Sequence, residues 1–254
     1  MGALEKVGSY AFDGCTNLTI DVLPSAEWID SFAFRKCTSL HIPSFPQNLT
    51  QISMNAFHNT TGMGAVIFNC PLLEKIDTNC FQYSTLTVVG ESLPDSVTEV
   101  GANAFSYCPN LVMNFNNGSG AAGLKIINNA AFGYDPQVNL ANLPANVETI
   151  GSNAFRATAQ AAGGGVVEYI GVSMFPASVT TIGENAFRYK TSLTGVLNLS
   201  QCTNLEDWNN NKGIHAKAFE KVLNLSTIIV PRNRKFTIPA DRWGAGAEVA
   251  IEEA

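Results

Sequence analysis

The sequence has few charged side chains and no strongly basic segment. Asp, Glu, Lys and Arg make up 14% of its 254 residues, well below the roughly one quarter that is usual. The formal net charge is −6, whereas a nucleic-acid-binding face needs a basic stripe. The small basic cluster of Arg232, Arg234, Lys235 and Arg242 is typical of a solvated end face. We therefore expect no nucleic-acid partner.

Long apolar runs are also missing. No stretch approaches the roughly 20 apolar residues of a membrane-spanning helix, so we expect no membrane insertion in this segment. No signal-peptide pattern is visible, because the first repeat begins within a few residues of Met1. Two interpretations stay open: a leader has been removed, or the chain begins inside a longer protein.

Residues for catalysis or metal binding are sparse and scattered. The three histidines, His41, His58 and His215, form no two-ligand spacing such as H-E-x-x-H. The sequence contains no G-x-S-x-G nucleophile element. It also contains no closely paired cysteines of the kind that bind zinc. We therefore predict no catalytic residues, no metal and no cofactor.

What the sequence does contain is one short motif written nine times. I-G-S-N-A-F at 150–155 returns as I-G-E-N-A-F at 182–187 and as V-G-A-N-A-F at 100–105. Six further copies keep the frame and end in phenylalanine. The nine final residues are Phe12, Phe34, Phe57, Phe81, Phe105, Phe132, Phe155, Phe187 and Phe219. Spacings of 22 to 32 residues are the signature of a solenoid, in which each repeat packs on its neighbours.

Each repeat has two extended legs separated by a corner. The first legs are short, apolar and β-branched, as at 86–89 and 196–199, and a proline corner follows in five repeats. The second leg, such as V-E-T-I at 147–150, leads into the motif, where Gly and Asn mark a turn. The small alanine leaves room for closely stacked coils, and the phenylalanines should form an internal stack.

The six cysteines follow the repeat as well. Cys80 replaces the motif alanine, and the other five precede a leucine by three residues. Cysteine at a fixed repeat position is typical of a small buried side chain. A disulfide between stacked neighbours stays open, and so does the redox compartment. The five are Cys15, Cys37, Cys70, Cys108 and Cys202.

Three segments depart from the period, and the repeat stops before the C-terminus. A Gly/Asn-rich loop at 116–123 replaces a proline corner, whereas an Ala/Gly-rich insertion at 157–165 and an Asn-rich segment at 207–211 each lengthen a repeat. We assign residues 1–230 to the solenoid and residues 231–254 to a capping or linking segment. No comparable cap precedes the first repeat, which favours a piece of a longer chain.

The consensus L-P-x-[SN]-V-T-x-I-G-x-N-A-F-x-x-C-x-x-L-x-x-I resembles the BspA-like leucine-rich repeat of bacterial surface proteins and some protozoan proteins. The resemblance covers about residues 4–230, with the best copies at 93–111, 143–155 and 175–193. It implies an α/β-type, mostly β, right-handed leucine-rich-repeat solenoid with a parallel sheet along one face and about nine repeats. Regular curvature is in doubt around 156–215. Family members are usually exported and associated with adhesion, which implies an extracellular or cell-surface location.

We therefore expect a non-catalytic, exported or cell-surface domain that mediates protein binding or adhesion. Its partners would be host or neighbouring-cell surface proteins or glycans, and the chain would be a monomer. A structural spacer that presents a neighbouring domain is the second hypothesis. A carbohydrate-processing enzyme ranks last, because no converging acid pair is visible.

A binding surface needs only exposed groups repeated along a regular sheet. Residues between the buried apolar positions of the first legs should face outwards. Trp28, Tyr83, Tyr107 and Trp243 lie outside the phenylalanine positions and are further possible contact anchors. The predicted ligand-facing residues are Thr19, Asp21, His41, Thr87, Asn114, Asn139 and Trp208.

Overall fold

The computed structural model describes residues 5–20, 23, 25–90, 92–115, 121–134, 138–140, 143–158, 172–190, 193–232, 237, 239–246, 248 and 250–253. These residues form 17 short strands and no helix. Every pairing between strands is parallel. The predicted repeat solenoid with a parallel sheet is thereby confirmed. Asp21 and most of the 157–165 insertion lie outside the described residues.

One sheet of nine strands runs the length of the chain, and we call it the long sheet. Each strand is the second leg of a repeat, and in most of them the first residue faces outwards while the second is buried. The strands, in their order in the sheet, are β1 (Lys6–Val7), β2 (Trp28–Ile29), β3 (Gln51–Ile52), β5 (Lys75–Ile76), β7 (Glu99–Val100), β9 (Ile126–Ile127), β11 (Thr149–Ile150), β13 (Thr181–Ile182) and β15 (Gly213–Ile214).

The first legs form three smaller sheets on another side of the coils. In two of the repeats, at residues 18–20 and 40–42, the predicted strand is wrong, because these residues form no ladder. The strands are β4 (Ala65–Val66) with β6 (Thr87–Val88), β8 (Met113–Asn114) with β10 (Val138–Asn139), and β12 (Val172–Met174), β14 (Gly195–Asn198), β16 (Leu225–Val230) and β17 (Ala250–Glu253) together.

The nine motif phenylalanines form one continuous stack through the core, as predicted. Neighbouring rings are parallel to within 16°, and their centroids lie 5.2–5.6 Å apart. Eight of the nine are fully buried, whereas Phe12 in the first coil is half-buried. The Phe57 N–H donates to the carbonyl of Cys80 at 2.8 Å, and the other coils repeat this bond to alanine except the last, where Phe219 donates to Trp243. The motif alanine is therefore a contact point between coils, where a larger side chain would clash.

The motif turns contain two residues in the left-handed backbone region. In the 150–155 copy and four others, the asparagine two residues before phenylalanine has φ of 53–58°. The residue two places after phenylalanine also has positive φ, as at Gly14, Asn59 and Tyr83. Asparagine and glycine tolerate this region, whereas other side chains lose roughly 1–2 kcal/mol there. This preference accounts for the motif asparagine.

The cysteines occupy two different corners, which the leucine spacing alone did not separate. Cys37 follows phenylalanine by three and its thiol donates to the Phe12 carbonyl at 3.0 Å. Cys70 and Cys202 instead occupy the corner where other repeats have proline. Five of the six are buried, as predicted, while Cys15 is exposed, and all six are free thiols. Burial raises the pKa of Cys37 to about 11.

The described part of residues 231–254 packs on the last coil. Strand β17 pairs with β16, and the Phe219 N–H donates to the Trp243 carbonyl at 2.9 Å. Trp243 thus stands in the alanine position of one further coil, and it is 1% exposed. The assignment of this segment as a cap or link stays a prediction.

Candidate functional site

Three tyrosines form a second aromatic stack, on the surface of the solenoid. Tyr83, Tyr107 and Tyr134 follow three consecutive motif phenylalanines by two residues each. Their ring centroids lie 4.8 Å and 4.3 Å apart, with interplanar angles of 16° and 10°. Tyr83 is 45% exposed, Tyr107 is 38% exposed and Tyr134 is half-buried. We call these three residues the tyrosine ladder.

The backbone holds the ladder in an unfavourable conformation. All three tyrosines have φ between 58° and 66°, in the left-handed region where the same position is Gly14 or Asn59 in earlier repeats. An aromatic residue loses roughly 1–2 kcal/mol there, whereas a stacked aromatic pair gains about 0.5–1.5 kcal/mol. Lys36, Tyr189 and Lys221 share this conformation, so it is the stacking and exposure of the three rings that make the ladder the first candidate surface.

Polar side chains lie at both ends of the ladder. The His58 ring meets Tyr83 edge-on at 5.7 Å, and the Arg156 guanidinium lies 5.3 Å from the Tyr134 ring centre. Arg156 also donates to Asn153 Oδ1 at 3.3 Å, and it forms no salt bridge with any residue that the structure describes. Burial, followed by the charges of Arg35 and Lys36, lowers the pKa of His58.

The geometry leaves ring edges and hydroxyl groups for contact with a partner. The ring faces are occupied by the neighbouring rings, so the ladder does not offer open faces for stacking on a ligand. Partial burial, followed by the hydrogen bond with Tyr134, raises the pKa of Tyr107. Tyrosine combines large contact area with a hydrogen-bonding tip and is enriched in protein interfaces.

A shorter aromatic pair lies near the N-terminal end. Tyr10 stacks on Phe32 at 4.8 Å, and the Arg35 guanidinium lies 4.9 Å from the Phe32 ring centre. Arg35 donates two hydrogen bonds to the Asp13 carboxylate, at 2.8 Å and 2.6 Å. The hydrogen bonds from Arg35 are the main reason why the pKa of Asp13 is lowered. Because Arg35 is already paired, this end offers less charge to a partner than Arg156 does.

The polar row predicted from the sequence is only partly brought together. Thr19 and His41 are exposed, and the His41 Nδ1 lies 2.8 Å from the Met63 carbonyl oxygen. Thr87 is half-buried and pairs with Ala65. Asn114 and Asn139 are backbone partners in β8 and β10. Thr19 and His41 lie in no sheet, whereas Thr87 and the pair of Asn114 and Asn139 belong to two separate short sheets.

Trp208, the predicted anchor, lies apart from that row. It is half-buried, and its ring meets His215 edge-on at 5.0 Å. It lines a cleft of about 310 Å³ between the last coil and the C-terminal segment, with Asp207 and Trp243. The Asp207 carboxylate accepts a hydrogen bond from Thr237 N at 2.6 Å. Trp208 therefore lines this cleft at the C-terminal end, and its role as a contact anchor stays a prediction.

The tyrosine ladder went unrecognised as a unit in the sequence, although a signal was present. Tyr83 and Tyr107 were visible as aromatics outside the phenylalanine stack, but Tyr134 was not singled out. The repeated spacing F-x-Y at 81–83, 105–107 and 132–134 would have placed the three in register. No group of three metal-binding side chains occurs among the described residues, and the described chain has no helix that could cross a membrane.

The stacked coils, the parallel sheets and the internal phenylalanine stack define a leucine-rich-repeat solenoid. The sequence profile described as "BspA type Leucine rich repeat region (6 copies)" matches residues 2–112, 73–162 and 170–239. The chain therefore belongs to the BspA-type leucine-rich repeat family. Membership defines a repeat scaffold rather than a class of enzymes. A search of curated protein sequences finds no match to this chain.

Three solved structures of bacterial proteins are similar to this chain. A leucine-rich repeat protein from Bacteroides ovatus is 20% identical, with a TM-score of 0.64 over 98% of this chain. This chain spans 64% of the length of that protein. A leucine-rich cell surface protein from Faecalibacterium prausnitzii is 23% identical, with a TM-score of 0.48 over 98% of this chain and 69% of its own. The pneumococcal vaccine antigen PcpA is 16% identical, with a TM-score of 0.41 over 92% of this chain and 74% of its own.

Proposed function

We propose that this chain is an exported or cell-surface domain that binds other proteins through the tyrosine ladder. The observation that carries the proposal is the stack of Tyr83, Tyr107 and Tyr134, two of them more than one third exposed, in a strained backbone conformation. Family membership supports a scaffold for binding. The surface location and the role in adhesion rest on the resemblance to BspA-like proteins.

The expected partners are surface proteins or glycans of a host or a neighbouring cell. A tyrosine at the centre of an interface commonly contributes about 2 kcal/mol or more, and 1.4 kcal/mol corresponds to a tenfold change in affinity. The remaining predicted row, with Thr19, His41 and Thr87, is a secondary contact surface in this proposal. The chain is proposed to act as a monomer.

The test is binding of the purified chain to immobilised extracellular-matrix proteins, mucins and glycans, measured by surface plasmon resonance. The decisive variant is Tyr83→Asn with Tyr107→Asn, because asparagine already occupies this position at Asn59 with φ of 56° and should preserve the backbone. We expect saturable binding that the double variant weakens by about tenfold or more.

Tyr189→Asn is the matched control, because Tyr189 has the same repeat position and φ of 59° but lies outside the ladder. Equal binding by the wild type and the double variant would contradict the role of the ladder. Absence of binding across the panel by a folded, monodisperse chain would favour the structural spacer instead.

A further inference from the structure

The long sheet is regular at seven of its eight junctions between neighbouring strands. At each of these junctions, an N–H at the start of one strand donates to a carbonyl of the preceding coil. That carbonyl belongs to the residue immediately before the preceding strand begins. The N–H of the residue immediately after the strand also donates, to the carbonyl of the buried residue in the preceding strand. The distances are 2.7–3.0 Å, as for Glu27 N to Glu5 O at 2.8 Å and Gly101 N to Ile76 O at 2.7 Å.

The junction between β3 and β5 is the exception. Among the described residues, the Thr50 carbonyl accepts no backbone hydrogen bond from Glu74 or Lys75. Only Ile52 and Ile76 remain in register. A cleft of about 510 Å³ lies at this point, lined by residues 50–52, by Glu74, Lys75 and Asp77, and by Leu72. We call this opening the seam.

The seam is local, because the coils on either side of it stay closed at the motif turn. Asn55 N donates to Thr78 O at 3.0 Å, and Phe57 N donates to Cys80 O at 2.8 Å. The rings of Phe57 and Phe81 stack at 5.3 Å. The opening is therefore built into an otherwise continuous sheet rather than being a frayed end.

The two sides of the seam offer complementary main-chain groups. The Thr50 carbonyl is an acceptor on one side, and the N–H groups of Glu74 and Lys75 are donors on the other, all in exposed residues. Main-chain polar groups require a partner, either water or another chain. A peptide group carries one donor and one acceptor, which are the kinds of partner that these two sides require.

The rim of the seam is acidic with an apolar patch. Glu74 and Asp77 contribute carboxylates, and the Lys75 ammonium is held 3.7 Å from Asp77 Oδ1 and 3.1 Å from Glu99 Oε1. Two carboxylates thus pair with one ammonium group, and Glu74 adds a third carboxylate to the rim, which leaves an excess of negative charge. Leu72 is 56% exposed beside them. Such a rim is complementary to a cationic side chain that has an aliphatic neighbour.

We propose that the seam binds an extended peptide segment of a partner protein that carries arginine or lysine next to an aliphatic residue. The peptide group bonds to Thr50 O and to the N–H groups of Glu74 and Lys75. The cation lies against Glu74 and Asp77, and the aliphatic side chain contacts Leu72. The seam lies on the long sheet and its use does not depend on the tyrosine ladder.

The test uses the whole chain, isotope-labelled, and the capped peptide acetyl-Gly-Leu-Arg-Gly-amide as the probe. We expect saturable shifts of the Glu74, Lys75 and Asp77 amide resonances, with a Kd of about 1 mM, as is usual for a single small contact. The peptide with Glu in place of Arg should produce no such shifts. Equal shifts with both peptides, or shifts elsewhere only, would overturn the proposal.

Two further measurements separate binding from folding. Glu74→Lys should weaken binding of the Arg peptide by at least about fivefold. Glu148→Lys, at the equivalent exposed position before β11, should leave that binding unchanged. Equal weakening by both variants would mean that only overall charge matters and would refute the site. In the free chain, the amides of Glu74 and Lys75 should exchange with deuterium at least about tenfold faster than those of Thr98 and Thr180. Slow exchange would show a closed seam and refute it too.

Discussion

Truncation of one ring in the middle of the phenylalanine stack should cost far more stability than truncation at its first member. Phe105 is fully buried and stacks on Phe81 and Phe132, each at 5.3 Å. Phe105→Ala should lower the free energy of unfolding by about 3–5 kcal/mol. The loss should be near the upper end, because each stacked pair contributes about 0.5–1.5 kcal/mol.

Phe12 provides the comparison within the same repeat position. It is half-buried and stacks on one described neighbour, Phe34, at 5.2 Å. Phe12→Ala should therefore cost only about 1–2 kcal/mol, since less of the ring is removed from water. Urea unfolding followed by far-UV circular dichroism gives both values. If Phe105→Ala lowered stability no more than Phe12→Ala, the stack would not be the main source of cohesion between coils.

The remaining predictions concern the coil contacts, the turns and the thiols. Ala154→Leu should lower the free energy of unfolding by about 1–3 kcal/mol through overpacking. Trp243→Ala should lower it by about 3–5 kcal/mol through loss of the buried indole. Smaller changes in urea unfolding would contradict the positions assigned to these two residues. Ala130→Gly should raise the free energy of unfolding by about 0.5–1 kcal/mol, and with it the melting temperature, because Ala130 has φ of 52°. An unchanged or lower melting temperature would refute this. At pH 8 a thiol reagent should modify only Cys15 in the native chain. Labelling of several native thiols at pH 8 would contradict this. Burial raises the pKa of Cys70 to about 12. The contribution of the protonated Cys70 thiol to the free energy of unfolding is therefore fully present below its ordinary pKa of 9.0 and declines as the pH rises towards 12.

The repeat allowed the core to be predicted residue by residue. Phenylalanine in nine aligned motifs had to share one environment, and alanine before it indicated a close contact between coils. The structure confirms both, as Phe155 and Ala154 show by their complete burial. The asparagine of the motif also has its expected role in a turn, since Asn153 has φ of 57°.

The exposed surfaces were harder to predict, because they depend on register between coils. Both legs of a repeat are short and β-branched, so the pattern did not show that the second leg forms the long sheet. The ladder depends on the left-handed backbone that aligns Tyr83 with Tyr107 across 24 residues. The seam is invisible in the sequence, because Ile52 and Ile76 keep the regular pattern while the bonds beside them are missing.

The cysteines illustrate how one spacing can hide two environments. Cys108 and Cys202 both precede a leucine by three residues. The Cys108 thiol nevertheless donates to the Phe81 carbonyl at 3.0 Å, whereas the Cys202 thiol lies 3.4 Å from the Pro176 carbonyl in the other corner. The two corners are similar turns, so local sequence alone does not distinguish them.

Hydroxyl-radical footprinting of the complex with a surface protein from the binding panel tests the central claim most directly. Mass spectrometry then reports the oxidation of each tyrosine with and without the partner. The account predicts that Tyr83 and Tyr107 become protected, while Tyr10, which is 55% exposed in the free chain, and Tyr189 keep their reactivity. Unchanged oxidation of Tyr83 and Tyr107 in a saturated complex would contradict binding through the tyrosine ladder.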